Sequence, residues 1–369
     1  MNAIGKLGMG MMRLPQKDRE IDLDTTKKMA DLFLEAGGIW VDTAYGYHNG
    51  KSESAVREAV VARHPRESFH VATKLPVWLV KTPEDPERLL QEQLSRTGAG
   101  YFDRYMLHAL GAERLPALEE LGVWDFLKSV KARGLAKSIG FSFHDTADVL
   151  EQILSKHPEA EFVQLQINYL DWEDKDVQSR LCYETARAHG VDVIIMEPVK
   201  GGSLGALPAE VSVPLRALHP DWSDARWALA FCLTLDGVST VLSGMSDPAQ
   251  MTDNIHSFKN FEPLNAEEMA ALKEAVTILE AMPSIACTGC GYCVESCPQR
   301  IKIPDIFETT TGVMRFGAQP GLIGHYEWLV SEGSGRASDC IACQACEEHC
   351  PQHLAIASLM ADCSALLDK

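Results

Sequence analysis

The sequence predicts a (β/α)8 barrel followed by a small, cysteine-rich helical domain. Three observations carry that reading. Up to about residue 280, eight short apolar, β-branched runs alternate with longer amphipathic stretches. Several of the runs are largely apolar, as strands buried on both faces of a parallel sheet are. Nine of the eleven cysteines fall after residue 286. Eight strand–helix pairs in under 300 residues fit a closed barrel. An open doubly wound sheet competes. It would want a glycine-rich turn after the first strand, and Gly8-Met9-Gly10-Met11-Met12-Arg13 does not supply G-x-G-x-x-G.

The predicted strands are Lys6–Gly10, Ile39–Thr43, His70–Lys74, Tyr105–His108, Ser138–Phe141, Val163–Ile167, Val191–Met196 and Ser239–Leu242. Helical periodicity follows them at Thr25–Ala36, Ser52–Arg63, Pro86–Ser95, Leu121–Arg133, Thr146–Lys156, Asp176–His189, Ser223–Leu233 and Pro248–Phe258, with a further helix over Ala266–Ala281. The breaker Ala281-Met282-Pro283-Ser284 then divides the chain into a barrel domain, residues 1–282, and a second domain, residues 283–369.

A length of 369 residues suits one large and one small domain, and 46% hydrophobic residues allow a sizeable core. The formal net charge of −18 argues against nucleic acid or an anionic membrane as partner, and permits a basic protein partner. The opening MNAIGKLGMGMMRLPQ lacks the apolar stretch of a secretory signal, and no run approaches the length of a membrane span. The reading is therefore cytoplasmic, where disulfides are rare and clustered thiols need another explanation.

That explanation lies in an internal repeat. CTGCGYCVESCPQRIKI, from Cys287, matches CIACQACEEHCPQHLAI, from Cys340, at every Cys, at Pro-Gln and at the final Ile, with 42 residues between the two cysteine runs. Parts of the insert, Pro304–Val313 and Leu322–Val330, read as helical. Each run is C-x2-C-x2-C-x3-C-P, a spacing that suits soft thiolate ligation of iron–sulfur clusters. In two-cluster ferredoxins the fourth Cys of each run ligates the other cluster. The spacing thus assigns Cys287, Cys290, Cys293 and Cys350 to one [4Fe–4S] cluster and Cys297, Cys340, Cys343 and Cys346 to a second. Two zinc sites are the competing reading, although paired C-x2-C knuckles have no need of the third step or the trailing C-P. The run resembles bacterial-type ferredoxins, and its helix-rich insert resembles the α-helical ferredoxin modules fused to dehydrogenases and reductases. Cys182, Cys232 and Cys363 read as small buried hydrophobes without a role.

In the barrel, four residues stand at strand ends. Asp42 and Tyr47 lie in WVDTAYGYHNGKSE, Lys74 in VATKLP and His108 in DRYMLH. A parallel barrel brings such ends to one face. A free tyrosine has a pKa of roughly 10, and an adjacent ammonium would lower it toward a useful proton donor. Asp42 would hold the Lys74 ammonium, and His108 would orient a carbonyl oxygen. Singly, each residue has a structural explanation; the conjunction on successive strand ends raises the functional reading.

DTAYGY, ATKLP and YMLH, in that order, resemble the tetrad of the aldo-keto reductase superfamily, and KLGMGMMRLP resembles its first strand. The resemblance implies Tyr47 as general acid, tuned by Lys74 and Asp42, with His108 positioning the carbonyl of a small aldehyde, ketone or sugar. It also implies NAD(P)H as cofactor. On that pattern Ser142 and Gln166 would bind the nicotinamide carboxamide, and Lys200, Gly201 and Gly202 would approach the pyrophosphate. Gly244 and Ser246, with Gln250 and Asn254, would hold the adenosine end. Three departures stand out: Phe143 replaces the family's Asn, Met196 its stacking aromatic and Gln250 its phosphate-clamping Arg. No Lys or Arg occurs between Arg226 and Lys259, so NADH against NADPH stays open, leaning away from strict NADPH use.

Hydride transfer moves two electrons, whereas a cluster takes one at a time. Three functional readings follow. The first is a carbonyl reductase whose clusters are structural or regulatory. The second is an oxidoreductase linked through its clusters to an external ferredoxin or flavoprotein. The third is a non-catalytic nucleotide-sensing or electron-transfer subunit.

Overall fold

Eight parallel strands close into a barrel: β1 (Leu7–Gly10), β2 (Trp40–Asp42), β3 (His70–Leu75), β4 (Phe102–Leu110), β5 (Ala136–Phe143), β6 (Phe162–Gln166), β7 (Asp192–Met196) and β8 (Val238–Ser243). Each pairs with its sequence neighbour, and β1 pairs with both β2 and β8. This computed structural model describes residues 2–18 and 20–368. Contacts divide the chain into two units, Met1–Pro198 with Arg226–Ala266, and Val199–Ala225 with Glu267–Lys369.

The helices of the first unit are α1 (Leu23–Glu35), α2 (Ser52–Val56), α3 (Asp85–Thr97), α4 (Leu115–Glu120), α5 (Val123–Ala132), α6 (Ala147–Lys156) and α7 (Ser179–Ala188). Then come α8 (Ala209–Leu218), which the periodicity did not reveal because Pro214 interrupts it, α9 (Asp224–Thr234) and α10 (Pro248–Lys259). Two expectations shift. The helix expected over Ser52–Arg63 continues past Val56 as a wider π turn over Arg57–Val61. The one expected from Asp176 starts at Ser179, because the Asp174 carboxylate accepts from the amides of Asp176 and Val177 and holds them in a turn.

Within the barrel, Ala72, Met106, Phe162, Ile194 and Leu242 form one packed cluster. Close strand packing explains two glycines. A Cβ on Gly8 would meet Leu242 at 2.4 Å, and one on Gly140 would meet the Phe162 carbonyl oxygen at 2.2 Å. Toward the start of β4, buried Arg104 donates to Thr240 Oγ1 at 2.8 Å and lies over the Trp40 ring at 3.8 Å. A guanidinium thereby fills that end of the barrel and leaves the other end, where the strands finish, for chemistry.

The second unit contains α8, α11 (Ala266–Ala281), α12 (Ile303–Phe316), α13 (Pro320–Ser331) and α14 (Ile356–Leu367). The sequence repeat is also a conformational one. Gly289 and Ala342, Gly291 and Gln344, and Arg300 and His353 occupy equivalent positions, and all six have φ between 52 and 76°. Ile303 and Ile356, also equivalent, each open a helix. Among the described residues no helix is long and apolar enough to cross a membrane.

Candidate active site and cluster centres

Strand register brings Asp42 and Lys74 together. Asp42 ends β2, Lys74 lies one residue before the end of β3, and the two strands pair in parallel. The Lys74 ammonium is almost wholly buried. It donates to Asp42 Oδ2 at 2.6 Å and to the Thr43 carbonyl at 2.8 Å. Tyr47 sits in the turn after β2, its ring 4.9 Å from Lys74 Nζ. The nearby Tyr45 turns away, donating to Glu92 at 2.8 Å beneath the Arg96 guanidinium. His108 packs edge-on to Tyr47, with ring centroids 5.9 Å apart, and 5.1 Å from the ring of Trp78. All four strand-end residues therefore converge.

His108 does not end its strand as expected. β4 runs on to Leu110, and its pairing with β5 slips between Leu107 and Leu110. Ala109 takes φ 57° there, and its amide donates to the buried Ser142 Oγ at 2.8 Å. The bulge re-aims His108.

Burial pushes the Tyr47 hydroxyl above its ordinary value, and the Lys74 ammonium does not overcome it, because Asp42 and Glu197 push the same way. The expected net lowering is thus absent, and Tyr47 is a protonated phenol at neutral pH. Burial works against the Lys74 charge, but Asp42 and Tyr47 outweigh it and its value rises. Burial, with Lys74, His144 and Arg114, holds His108 well below the ordinary imidazole range. His108 is therefore neutral, and its buried Nδ1 has no hydrogen-bond partner among the described residues.

Other residues at this end were not singled out by the sequence. Fully buried Glu53 accepts from Thr73 and from Gln93, each at 2.8 Å, and Gln93 also donates to the Lys74 carbonyl at 3.0 Å. This network fixes the end of β3. Glu197 follows β7 with φ 54° and forms an ion pair with Arg13 at 3.5 Å. Glu53 stood inside the quoted motif; nothing in the sequence pointed to Glu197 or Arg13. Of the loop aromatics, Trp78 reaches the site, whereas Trp172 packs against Tyr183 and Phe231.

The expected cofactor residues fall as follows. Ser142 is buried at the end of β5, and Gln166 ends β6, its amide donating to Asp171 at 2.9 Å. Gly244 has the Arg13 side chain 3.2 Å from where its Cβ would stand. The Ser246 amide donates to Gln250 Oε1 and its hydroxyl to the Arg13 carbonyl, both at 2.8 Å. Asn254 is buried and donates to Ser243 at 2.7 Å. Asp247 caps α10, accepting from the amides of Ala249 and Gln250. Lys200, Gly201 and Gly202 belong to the second unit, in a 3-10 turn over Lys200–Gly205 where they take φ of 45, 64 and 103°.

The cysteines line two cavities. One is walled by Cys287, Cys290, Cys293 and Cys350, the other by Cys297, Cys340, Cys343 and Cys346. Ile303 and Ile356 line both. The fourth thiol of each run thus lines the opposite run's cavity. Apolar neighbours such as Phe307 and Met360 surround the thiols, and the Ile301 amide donates to Cys297 Sγ at 3.4 Å. A four-thiol, apolar shell with N–H···S contacts fits a cubane cluster. Among the described residues no three His, Cys, Asp or Glu side chains are placed to share one metal ion. Cys182, Cys232 and Cys363 are buried, and burial raises Cys182 and Cys363 to about 11.

The aldo/keto reductase family matches residues 6–277, and a 4Fe-4S dicluster domain matches residues 286–355. The chain is 26% identical over 308 residues to the NADH-specific methylglyoxal reductase of Escherichia coli, covering 70% of this chain and 89% of that protein. It is 28% identical over 271 residues to an aldo-keto reductase of Mycobacterium tuberculosis, covering 72% and 85%. An aldo-keto reductase from Bacillus halodurans in its holo form superposes with a TM-score of 0.61 at 25% identity, over 73% of this chain and 91% of that one. With a closed eight-stranded barrel and two four-cysteine cavities in one chain, this protein is an oxidoreductase that belongs to the aldo/keto reductase family and carries a C-terminal 4Fe–4S dicluster domain.

Proposed function

We propose that the barrel reduces a small aldehyde, ketone or sugar carbonyl with NAD(P)H. The observation that carries this is the Lys74 ammonium held between Asp42 and the Tyr47 ring, next to a neutral His108 with an unpartnered ring nitrogen. A bound reduced nicotinamide would supply the hydride to the carbonyl carbon. Tyr47 gives its hydroxyl proton to the carbonyl oxygen, forming the alcohol, and regains a proton from solvent. Lys74 stabilises the phenolate left behind. His108, uncharged, hydrogen-bonds the oxygen before transfer without competing as an acid.

Ser142 and Gln166 serve the carboxamide in this proposal, Lys200, Gly201 and Gly202 the pyrophosphate, and Gly244, Ser246, Gln250 and Asn254 the adenosine end. Asp247 already occupies the first amides of α10, and Gln250 replaces a cation, which supports NADH over NADPH. The relative named for NADH specificity points the same way. The proposed domain boundary lies between residues 282 and 283, in the gap between the two family matches. A cytoplasmic location suits a protein whose thiols must stay reduced to hold clusters.

A second reading is favoured by one observation. Cys290 and Cys343, one ligand of each cluster, are exposed. Each cluster is then open to an external ferredoxin or flavoprotein, and the pair could relay electrons. The test is an anaerobic assay of NADH and NADPH oxidation against a carbonyl panel including methylglyoxal, with cluster EPR read in parallel. Dinucleotide oxidation that needs a carbonyl, leaves the clusters unchanged and vanishes in Tyr47→Phe supports the first reading. Cluster reduction by dinucleotide plus a flavoprotein, with no carbonyl turnover, replaces it with the second.

A further inference from the structure

The segment Val199–Ala225 interrupts the barrel sequence between β7 and β8, yet its packing places it in the same unit as the cluster domain. At its head, the Lys200–Gly205 turn packs against α13. At its tail, His219 stacks on Trp222 at 4.1 Å and hydrogen-bonds Glu268 of α11.

Helix α13 is tied in turn to the second cysteine run. Tyr326 of α13 is fully buried; its hydroxyl donates to Asp368 at 2.6 Å and accepts from the Ala337 amide at 2.8 Å. Ala337 lies three residues before Cys340. Arg336 bonds both Glu327 of α13 and Asp368. Tyr326 also belongs to the buried cluster that contains Cys293 and Cys346. A continuous series of contacts therefore runs from the ligand loops through Tyr326 to the Lys200–Gly205 turn.

We infer that the cluster domain positions this turn, so that loss of the clusters weakens dinucleotide binding. The inference rests on the proposed role of Lys200–Gly202 at the pyrophosphate. Two features make the coupling physical. The turn holds two consecutive glycines at positive φ, whose backbone freedom is large, so packing against α13 adds to the order given by the Gly202 and Leu204 amides, which donate to the Val199 carbonyl. The second ligand loop holds Ala342 and Gln344 in the left-handed region, a conformation that non-glycine residues leave when nothing constrains them. Removing a cluster frees that loop, loosens the Ala337–Tyr326 link and withdraws support from the turn. Tyr326 is a positioning residue here, remote from any reacting atom.

The experiment compares cluster-loaded protein, protein stripped of iron anaerobically, and cluster-loaded Tyr326→Phe. NADH affinity is read by equilibrium fluorescence titration, and backbone hydrogen exchange is read over residues 199–206. Stripping should weaken NADH binding on the order of tenfold, within the usual range of coupling between sites, and speed exchange in 199–206 while leaving β4 unchanged. Tyr326→Phe, with iron and sulfide intact, should fall between the two. Equal affinity and equal exchange in loaded and stripped protein would overturn the inference. If loaded protein binds neither NADH nor NADPH, the proposed function fails instead. Faster exchange in 199–206 on stripping would then still uphold the positioning of the turn, and unchanged exchange would end it.

Discussion

Replacing Lys74 with Met tests the buried pair directly. In the native protein the ammonium makes hydrogen bonds of 2.6 and 2.8 Å, and the carboxylate it faces is 5% exposed. Methionine fills the stem's volume but leaves Asp42 a buried charge whose remaining cation is Arg104. Breaking one side of such a pair costs about 3–5 kcal/mol. Burial already holds the Asp42 carboxyl above its ordinary value, and losing Lys74 raises it further. The sign follows from linkage. A carboxyl whose folded value is raised favours the folded state at low pH, and that advantage is lost as pH rises through the folded value. The penalty of Lys74→Met should therefore be full at pH 8 and shrink as the pH falls toward the raised Asp42 value. Urea unfolding followed by circular dichroism at several pH values measures it, with Asp42→Asn and the double variant completing a cycle. A penalty under about 1 kcal/mol, or one independent of pH, would show that the pair is not the buried ionic contact described.

Tyr47→Phe should lower kcat/KM for carbonyl reduction by about 10²–10⁴-fold without weakening NADH binding, as steady-state kinetics and titration will show. Because Tyr47 is raised and His108 lowered, the kcat/KM profile should be flat across the neutral range. It should fall only above roughly 10, the ordinary tyrosine value, because burial raises Tyr47 and delays loss of the proton it donates. Cys350→Ala should remove or alter the cluster held by Cys287, Cys290 and Cys293 and spare the other, in iron analysis and EPR; loss confined to the cluster of Cys340, Cys343 and Cys346 would reverse the pairing. Gly140→Ala places a Cβ 2.2 Å from the Phe162 carbonyl oxygen and should destabilise the barrel by about 1–3 kcal/mol or more in the same unfolding assay.

What could be read from the sequence was what periodicity and spacing encode. The β-branched runs at Val191–Met196 and Val163–Ile167 marked strands, and the two cysteine runs marked a repeat whose backbone angles agree at three equivalent pairs. What could not be read was three-dimensional balance. The sequence put an ammonium beside Tyr47 but could not weigh it against burial and the carboxylates of Asp42 and Glu197, which decide the direction. It placed His108 at a strand end but could not show the slip at Ala109, where no glycine announces the positive φ. It placed Val199–Ala225 with the barrel by order along the chain, as the family match over residues 6–277 does, but could not show the contacts that group this segment with Glu267–Lys369. Pro214 hid the helix there.

The electron count separates the two functional readings more sharply than any single residue. A hydride carries two electrons to one carbon, so a carbonyl reductase has no need of a one-electron carrier. Two clusters together can accept two electrons, but only one each and in sequence, which requires an intermediate able to stand at the half-reduced level. A phenol, an ammonium and a neutral imidazole offer no such state, so the Tyr47–Lys74–His108 group cannot divide a hydride. Electrons entering at the exposed Cys290 or Cys343 would come from a partner that can. Stopped-flow mixing of NADH with the protein alone should therefore leave the cluster absorbance unchanged, and a flavoprotein added afterwards should bleach it if the relay exists. Rapid bleaching by NADH alone would contradict this chemistry and require a redox group in the barrel that the side chains described here do not provide.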